Sequence, residues 1–361
     1  MIRRAVTVLV LAALLWLPAE AVDLDAAFGT DSVTAAVPDG ARAALEGITP
    51  GTDLDRGLGR LWSFVTARLN GLLREILRPL AAIIAITVLC SIGESAEACG
   101  RVGLHAVPLG GCLAIAAIGI SDVQSVLTVG SEALAELIDF SRVLLPVLTT
   151  AAAAGGQAGS AAAVYTASAL FSDLLLTAGQ QLVLPMICAF TAAGTASAAL
   201  GEQRLDGLVH FLEWAAKSLL KLLVTAFTLY LSLTGVLAAA ADKAAVKAAK
   251  GVLTAALPVV GKLLAGASEA LVAGAGLVRG AVGAYGLLVC LAAVLLPALR
   301  LGLRCLLFRA AAALCSGIGG PRETRLIALL GKSYGMLLGL VGSGAAIEFL
   351  AVISMIRMVT A

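Results

Sequence analysis

Long apolar runs separated by short polar stretches fill the chain from residue 79 onward. A helix needs about 20 predominantly apolar residues to cross a bilayer, and several of these runs are shorter than that. We therefore predict an all-α fold: a polytopic helical membrane protein with about six to eight transmembrane or re-entrant helices and amphipathic interfacial helices. The candidate runs are Pro79–Gly93, Val102–Ile120, Val143–Ala154, Ala161–Phe171, Leu174–Leu200, Leu222–Ala241, Ala281–Leu299 and Met336–Ile356.

Residues 22–78 form the only long polar stretch of the chain. Its first half is rich in Gly, Pro, Asp and Thr, which predicts loop or weak structure. From about Leu54 a helical period appears, with arginines on the polar face, and it predicts an amphipathic helix leading into the first span. The apolar positions are Leu58, Leu61, Trp62, Val65, Leu69, Leu72, Leu73 and Ile76, and the arginines are Arg56, Arg60, Arg68 and Arg74.

The N-terminus has the pattern of a secretory signal. Arg3 and Arg4 precede the apolar stretch Ala5–Leu17, and Ala19-Glu20-Ala21 is a small-x-small cleavage site. An uncleaved N-terminal anchor is the alternative. The predicted organisation is thus a signal peptide over 1–21, an extracytoplasmic segment with the amphipathic helix over 22–78, and a multi-span membrane domain over 79–361.

The charges between the runs leave the topology open. The basic stretches Asp242–Gly280 and Arg300–Lys332 flank the single run Ala281–Leu299, so they would lie on opposite sides of the membrane. The positive-inside rule cannot hold for both. Either a re-entrant element at Val252–Val260 or Ala310–Ile318 reconciles them, or the topology departs from the rule.

The middle of the chain contains an acidic stretch and a break. Ser121–Arg142 is acidic and suits the outer face of the membrane. Val143–Ala154 and Ala161–Phe171 are either one broken span or a re-entrant pair around Gly155-Gly156.

Composition agrees with a lipid environment. The chain is 60% hydrophobic and 13% charged, whereas a soluble domain has about 45–50% apolar and about 25% charged residues. A net charge of +2 and an aromatic content of 4% argue against nucleic-acid binding. The seven cysteines lie in or beside apolar runs with no CxxC pair, which indicates packing residues rather than disulfides or metal ligands.

Motifs for a reaction are missing, so we predict no catalytic, cofactor or metal site. His105 and His210 are the only histidines, and neither lies in a metal-binding pattern. Gly342-Ser343-Gly344 lacks the context of a nucleophile elbow and indicates helix packing. Gly331-Lys332-Ser333 imitates the end of a phosphate loop, but Leu326 stands where that loop requires glycine.

Polar residues inside apolar runs are candidates for an intramembrane role. Glu348 lies within Met336–Ile356, and Gln180 and Gln181 lie within Leu174–Leu200. An acid in the membrane lines a pathway or pairs with a base. The alternative for Glu348 is a carboxylate near the C-terminal interface, paired or reaching toward water.

Two further sets of residues have a helical spacing. Lys243, Lys247 and Lys250 share one helical face, and Lys262 follows; these lysines would contact anionic lipid headgroups, at about 1 kcal/mol each, or an acidic partner. Small residues four apart predict close helix packing. The glycines with this spacing are Gly155, Gly159, Gly276, Gly280, Gly335 and Gly339.

Particular phrases of the chain resemble the stage III sporulation protein AE family of endospore-forming bacteria, and so does its layout of signal peptide, modest outer segment and multi-span body. The phrases are Leu145-Pro146-Val147-Leu148 followed by Gly155-Gly156, Asp242 with Lys250, Leu257-Pro258-Val259-Val260-Gly261, Ser268-Glu269, and Gly283 and Gly286 followed by Pro297.

The resemblance implies a non-enzymatic membrane subunit of a channel-like assembly between mother cell and forespore. It implies a location in the mother-cell membrane around the forespore and a part in late forespore gene expression. The implied partners are the other stage III A proteins, among them an ATPase and ring-forming subunits, with the stage II Q protein opposite.

Two other classes of function make different predictions. A stand-alone secondary transporter of a small solute would have an inverted repeat with matching broken helices, and Gly155-Gly156 and Val259–Gly266 are the candidate pair. An intramembrane enzyme would need a pair of acids or a nucleophile with its base, which the chain lacks.

Overall fold

The computed structural model describes residues 30–98, 106–200, 205–256 and 260–357, and most side chains between residues 234 and 279 lie outside the description. Within these ranges the chain forms helices and no strand, which confirms the predicted all-α class. The predicted signal peptide, 1–21, lies outside the described residues. The helices are α1 (Thr30–Ala35), α2 (Asp39–Ala44), α3 (Leu54–Ala98), α4 (Ala106–Ala154), α5 (Ala158–Ala178), a π-helical turn (Gly179–Val183), α6 (Leu184–Leu200), α7 (Asp206–Ala256), α8 (Val260–Cys315) and α9 (Pro321–Arg357).

Six helical stretches of the described residues are long and apolar enough to cross a membrane. They make this a multi-pass membrane protein, in agreement with the predicted number of spans. The stretches are Leu54–Gly93, Leu109–Ala154, Ala158–Ala199, Asp206–Leu233, Gly280–Cys315 and Pro321–Arg357.

Helix α9 is the centre of the bundle, because it packs against α4, α5, α6, α7 and α8. It forms an antiparallel hairpin with α8, in which the rings of Phe308 and Tyr334 lie 5.0 Å apart, centroid to centroid. Its 37 residues extend over about 55 Å at 1.5 Å per residue. Since the hydrocarbon core of a bilayer is about 30 Å thick, α9 is longer than a single perpendicular span.

Helix α3 combines the predicted amphipathic helix and the first span in one helix of 45 residues that passes through Pro79. Leu61, Leu72 and Ile76 of the predicted apolar face are buried, whereas the side chain of Trp62 is 71% exposed. The predicted apolar face is therefore wider than the part of it that the rest of the bundle covers.

Helix α4 corrects the interpretation of the acidic stretch. The runs Val102–Ile120 and Val143–Ala154 are joined by helix, so Ser121–Arg142 is the middle of α4 rather than a segment between spans. The helical period carries through it because Val123, Val126, Leu134 and other apolar residues face the core at helical spacing.

Gly155-Gly156 is a turn between two helices and does not break a span. The helix α4 ends at Ala154, and Gly156 adopts φ +83, a left-handed conformation that favours glycine. The chain reverses there, and α5 begins at Ala158. The expectation of one broken span or a re-entrant pair is wrong, and one member of the candidate inverted repeat is lost with it.

The second basic stretch is also mostly helical. Helix α8 continues past Leu299 to Cys315, and α9 begins at Pro321. Ala310–Ile318, considered as a re-entrant element, is therefore the last turns of α8 and the start of the hairpin turn. Part of Val252–Val260 lies outside the described residues.

The glycines at which neighbouring helices approach most closely are mostly not the ones predicted from the four-residue spacing. A Cβ atom at Gly119, Gly283 or Gly344 would overlap a leucine or isoleucine of a neighbouring helix. Of the selected glycines, Gly335 and Gly339 face side chains of other helices, at 3.4 Å from Cys305 Sγ and 3.7 Å from Leu220 Cδ1.

Among the described residues, the other glycines predicted from the spacing do not lie at a close contact between two helices. A Cβ at Gly155 would meet the carbonyl oxygens of its own helix, and a Cβ at Gly280 would meet nothing within 4 Å. Gly159 is exposed and Gly276 is half-buried.

Gly344 and Gly342 provide a matched test of this packing, because they lie two residues apart in α9. A side chain at Gly344 would overlap Leu134 and approach Leu175, whereas one at Gly342 meets open space. We expect Gly344→Val to destabilise the fold by about 1–3 kcal/mol, the usual cost of overpacking. Gly342→Val has the same helix propensity and no overlap. Thermal unfolding in detergent measures both, and equal unfolding midpoints would contradict the packing.

Candidate functional site

Three charged residues are buried among the described side chains: Arg304, Glu323 and Glu348. Arg304 belongs to α8, and the two glutamates lie near opposite ends of α9. A charge removed from water costs several kcal/mol unless it is paired or hydrogen-bonded. The partners of each residue therefore show which helix interfaces these charges stabilise.

Arg304 joins α3, α4, α8 and α9. Its Nε donates to Asp122 Oδ2 at 3.2 Å, and its Nη2 donates to Glu75 Oε1 at 3.0 Å. The hydroxyl of Tyr334 donates to Asp122 Oδ2 at 2.5 Å. Because each partner comes from a different helix, a shift of any one helix by a turn would break the cluster.

The cluster is only partly closed to solvent. The side chain of Arg304 is 4% exposed and that of Asp122 14%, whereas that of Glu75 is 47% exposed. Nη1 of Arg304 is buried without a hydrogen-bond partner among the described residues. A groove of about 530 Å³ lies beside Asp122, lined by Pro79, Ala117, Ile118, Ser121 and Ser125. The groove brings space for water to the edge of the ion pair.

Glu348 receives hydrogen bonds from two other helices. Ser141 of α4 donates its hydroxyl to Glu348 Oε2, and Ser172 of α5 donates to Glu348 Oε1 at 2.5 Å. Glu348 is 1% exposed, and both serines are also buried. The intramembrane position predicted for Glu348 is thus an interior position, where hydroxyl groups rather than a base surround the carboxyl group.

A cation lies near Glu348 but turns away from it. Arg142 follows Ser141 in α4, and its guanidinium lies 2.9 Å from Asp139 and 3.7 Å from Asp173. The Arg142 side chain is 56% exposed. A cavity of about 50 Å³ between α4 and α5 separates this exposed group from the serines, and its lining includes Ser141, Arg142, Tyr165 and Ser172.

Glu323 lies in the first turn of α9 and is completely buried. The thiol of Cys112 lies 3.8 Å from its Oε1, and Oε2 has no partner among the described residues. A carboxylate near the N-terminus of a helix is stabilised by the helix dipole. The place of Glu323 in α9 and the Cys112 thiol are thus the favourable contacts that the described residues provide for this carboxyl group.

Ion pairs line the contact between α7 and α9. Arg325 pairs with Asp206, which also accepts from Ser197 at 2.8 Å. Two turns further along, Lys332 lies 2.9 Å from Glu213. The apparent phosphate-loop residue Lys332 thus serves as an ion-pair partner between helices. Within the described ranges, no three His, Cys, Asp or Glu side chains converge to hold a metal.

The structure separates the other predicted site residues from these clusters. Gln180 and Gln181 lie in the π-helical turn and are exposed on the outside of the bundle. Lys243, Lys247, Lys250 and Lys262 lie outside the described side chains. No observation tests a lipid or partner contact of these lysines, and that interpretation stays a prediction.

Sequence reasoning missed Arg304, Asp122, Glu75 and Glu323. Each lies in a stretch interpreted as polar flank, and each became a buried or half-buried position because the helices continue beyond the apolar runs. A helical period carried through the charged stretches would have placed Asp122 one residue from the core position Val123. It would not have identified its partner on α8.

Comparison with known proteins identifies the family of this chain. A family model described as stage III sporulation protein AE matches residues 59–359. The chain belongs to this family. Stage III sporulation protein AE of Bacillus subtilis (strain 168) is 24% identical over 221 residues, which cover 60% of this chain and 54% of that protein. No solved structure matches the chain.

The matched part of the family contains the buried clusters. Glu75, Asp122, Arg304 and Glu348 all lie within residues 59–359. The family's name indicates a role in sporulation, and the clusters lie in the membrane-spanning part of the protein.

Removal of Arg304 gives a direct test of its role. We expect Arg304→Met to destabilise the protein by about 3–5 kcal/mol, because Asp122 would remain in the interior without its cation. The double variant Arg304→Met with Asp122→Asn removes both charges and should recover part of the loss. Glu75→Gln, at the exposed end of the cluster, should change stability much less. Unfolding in detergent measures all three, and additive losses in the double variant would contradict the pairing.

Proposed function

We propose that this protein is a non-enzymatic integral membrane subunit of a channel- or secretion-like complex that joins mother cell and forespore and that late forespore gene expression and spore development require. Its family supports a role in sporulation. The position in the mother-cell membrane and the partners rest on the resemblance described above. Those partners are the other stage III A proteins, including an ATPase and ring-forming subunits, and the stage II Q protein across the intermembrane space.

The surface of the bundle is the observation that carries the proposal. Large apolar side chains are exposed near the α8–α9 turn, such as Leu314 at 70%, and near the middle of α7, such as Leu233 at 67%. Between them, at the level of Lys332, lies Lys217, whose side chain is 57% exposed and whose Nζ pairs with Glu213 at 2.5 Å. If lipid covered both apolar regions, this exposed ion pair would lie in hydrocarbon, where a lysine at the bilayer centre costs about 2.5–3.5 kcal/mol.

Contact with other proteins removes this conflict. In an assembly, other subunits cover part of the apolar surface, and Lys217 can then face a partner protein or water. A stand-alone transporter surrounded by lipid has no such cover. The polar outward position of Gln180 and Gln181 also suits a protein contact, since an amide in lipid lacks hydrogen-bond partners.

Deletion of the gene in its spore-forming host tests the proposal. We expect engulfment to finish while a late forespore-specific reporter fails and forespores shrink. Complementation with the wild-type gene should restore the reporter, and purification in detergent from sporulating cells should bring the partner proteins along. Normal spores in the deletion strain would contradict the role. Solute uptake by the purified chain in liposomes would favour the transporter instead.

The lysine ladder provides a residue-level test. We expect Lys243, Lys247 and Lys250, changed together to Glu, to weaken sporulation while the protein still inserts, since the reversed charge repels anionic headgroups or an acidic partner. The same lysines changed to Arg keep the charge and form the matched control. Spore counts and membrane fractionation measure the outcome, and normal sporulation of the Glu variant would remove the ladder from the functional residues.

A further inference from the structure

Glu348 differs from the other buried charges in its partners. Arg304 has carboxylates, and Glu323 has the N-terminal turn of α9, whereas Glu348 has two hydroxyl groups in the interior of the bundle. A carboxyl group held by hydroxyls is satisfied in both of its states, since a hydroxyl donates to the carboxylate and accepts from the protonated acid. The serines therefore suit a group that changes its protonation state in place.

The charged and titratable groups around Glu348 do not hold its carboxyl group in one protonation state by direct contact. Arg142 and Asp139 of α4 and Asp173 of α5 bond with one another at the surface. Cys290 of α8 is buried and close enough to interact electrostatically with the carboxyl group. Tyr165 of α5 lies at the cavity, and Tyr230 of α7 packs against Phe171, next to Ser172. No described cation holds Glu348 permanently in its charged form by direct contact.

The cavity between α4 and α5 provides a route from outside. Its volume of about 50 Å³ exceeds the volume of about 10–15 Å³ that a cavity needs to hold one water molecule. Its outer edge is formed by the exposed residues Arg142 and Tyr165, and its inner edge by the buried hydroxyl groups of Ser141 and Ser172. A water molecule there would connect the surface to the two groups that touch Glu348.

We propose that Glu348 is a binding site for a single proton, which enters through the cavity between α4 and α5. A hydronium ion of the bulk solvent gives its proton to the water molecule in the cavity, that water passes a proton to the hydroxyl of Ser141 or Ser172, and that hydroxyl passes its own proton to the carboxylate. Only O–H bonds form and break, and the net reaction turns the carboxylate and one hydronium ion into a carboxylic acid and water. Protonation removes the charge from the interface of α4, α5 and α9 and changes the hydrogen bonds that hold these helices together.

The contacts favour a proton over a metal ion. A cation such as calcium holds each oxygen ligand at about 2.3–2.6 Å from a common centre. Here the hydroxyl oxygen of Ser172 lies 2.5 Å from the carboxyl oxygen itself, which is a hydrogen-bond separation. The serine and carboxyl oxygens are hydrogen-bonded to one another and leave no space between them for an ion.

Infrared difference spectroscopy of the full-length protein in lipid vesicles tests the proposal. In the spectrum of wild type minus Glu348→Gln, we expect the carbonyl band of a protonated carboxyl group at acidic pH, its loss at alkaline pH and its shift in D2O. Glu323→Gln removes the second carboxyl group that is buried among the described side chains and should leave this band in place. If Glu348→Gln does not assemble, Glu348→Asp identifies the same group by moving the band.

The serines and the cavity have tests of their own. Ser141→Ala with Ser172→Ala should move the pH at which the band disappears, because the change removes both hydrogen-bond partners of the carboxyl group. Ala169→Leu, at a residue that lines the cavity without touching Glu348, should slow the deuterium shift by about tenfold or more, since a filled cavity holds no water.

Two results would overturn the proposal. The absence of the band at every pH would mean that Glu348 is permanently charged, and a band that neither pH nor D2O changes would mean a sealed structural carboxyl group. Each result leaves the membership of a sporulation complex untouched, because the experiment uses the isolated protein and does not depend on that function.

Discussion

The ion pair between Arg304 and Asp122 is the interaction on which the arrangement of the long helices depends. Helices of this length can slide past one another by a turn at little cost in apolar contact, since one leucine replaces another. A buried guanidinium cannot slide, because its charge costs several kcal/mol wherever it lacks a partner. With Glu75 and Tyr334 attached to the same cluster, α3, α4, α8 and α9 are fixed to one height.

Polar contacts also fix the position of the central helix α9 relative to its neighbours at other points along its length. The pair of Arg325 with Asp206 aligns it with α7 near the turn, and the hydroxyl bonds to Glu348 align it with α4 and α5 near the other end. Small residues then bring the backbones close, as at Gly344. Polar contacts thus set the register, and glycines set the distance between the helices.

The same features bear on function. The family and the charged residues inside and on the surface of the bundle, such as Arg304 and Lys217, are the basis of the proposed assembly with other proteins. The buried carboxyl group of Glu348 adds a site whose charge could change without a partner subunit. Assembly depends on the outer surface and proton exchange on the interior, so the two properties can be separated by mutation.

The amino-acid sequence by itself determined the helical class, the membrane environment and the amphipathic start of α3, because each follows from hydrophobic period and length. For Glu348 it left an interior and an interfacial position open, and the fold decided for the interior. Tertiary structure decided which charged stretches are loops and which are helix. Ser121–Arg142 continues α4 with apolar residues such as Val123 in the core. Arg304, distant in the sequence, pairs with Asp122 there. A hydropathy pattern measures each segment against lipid alone, whereas the cost of a buried charge depends on what the fold places beside it.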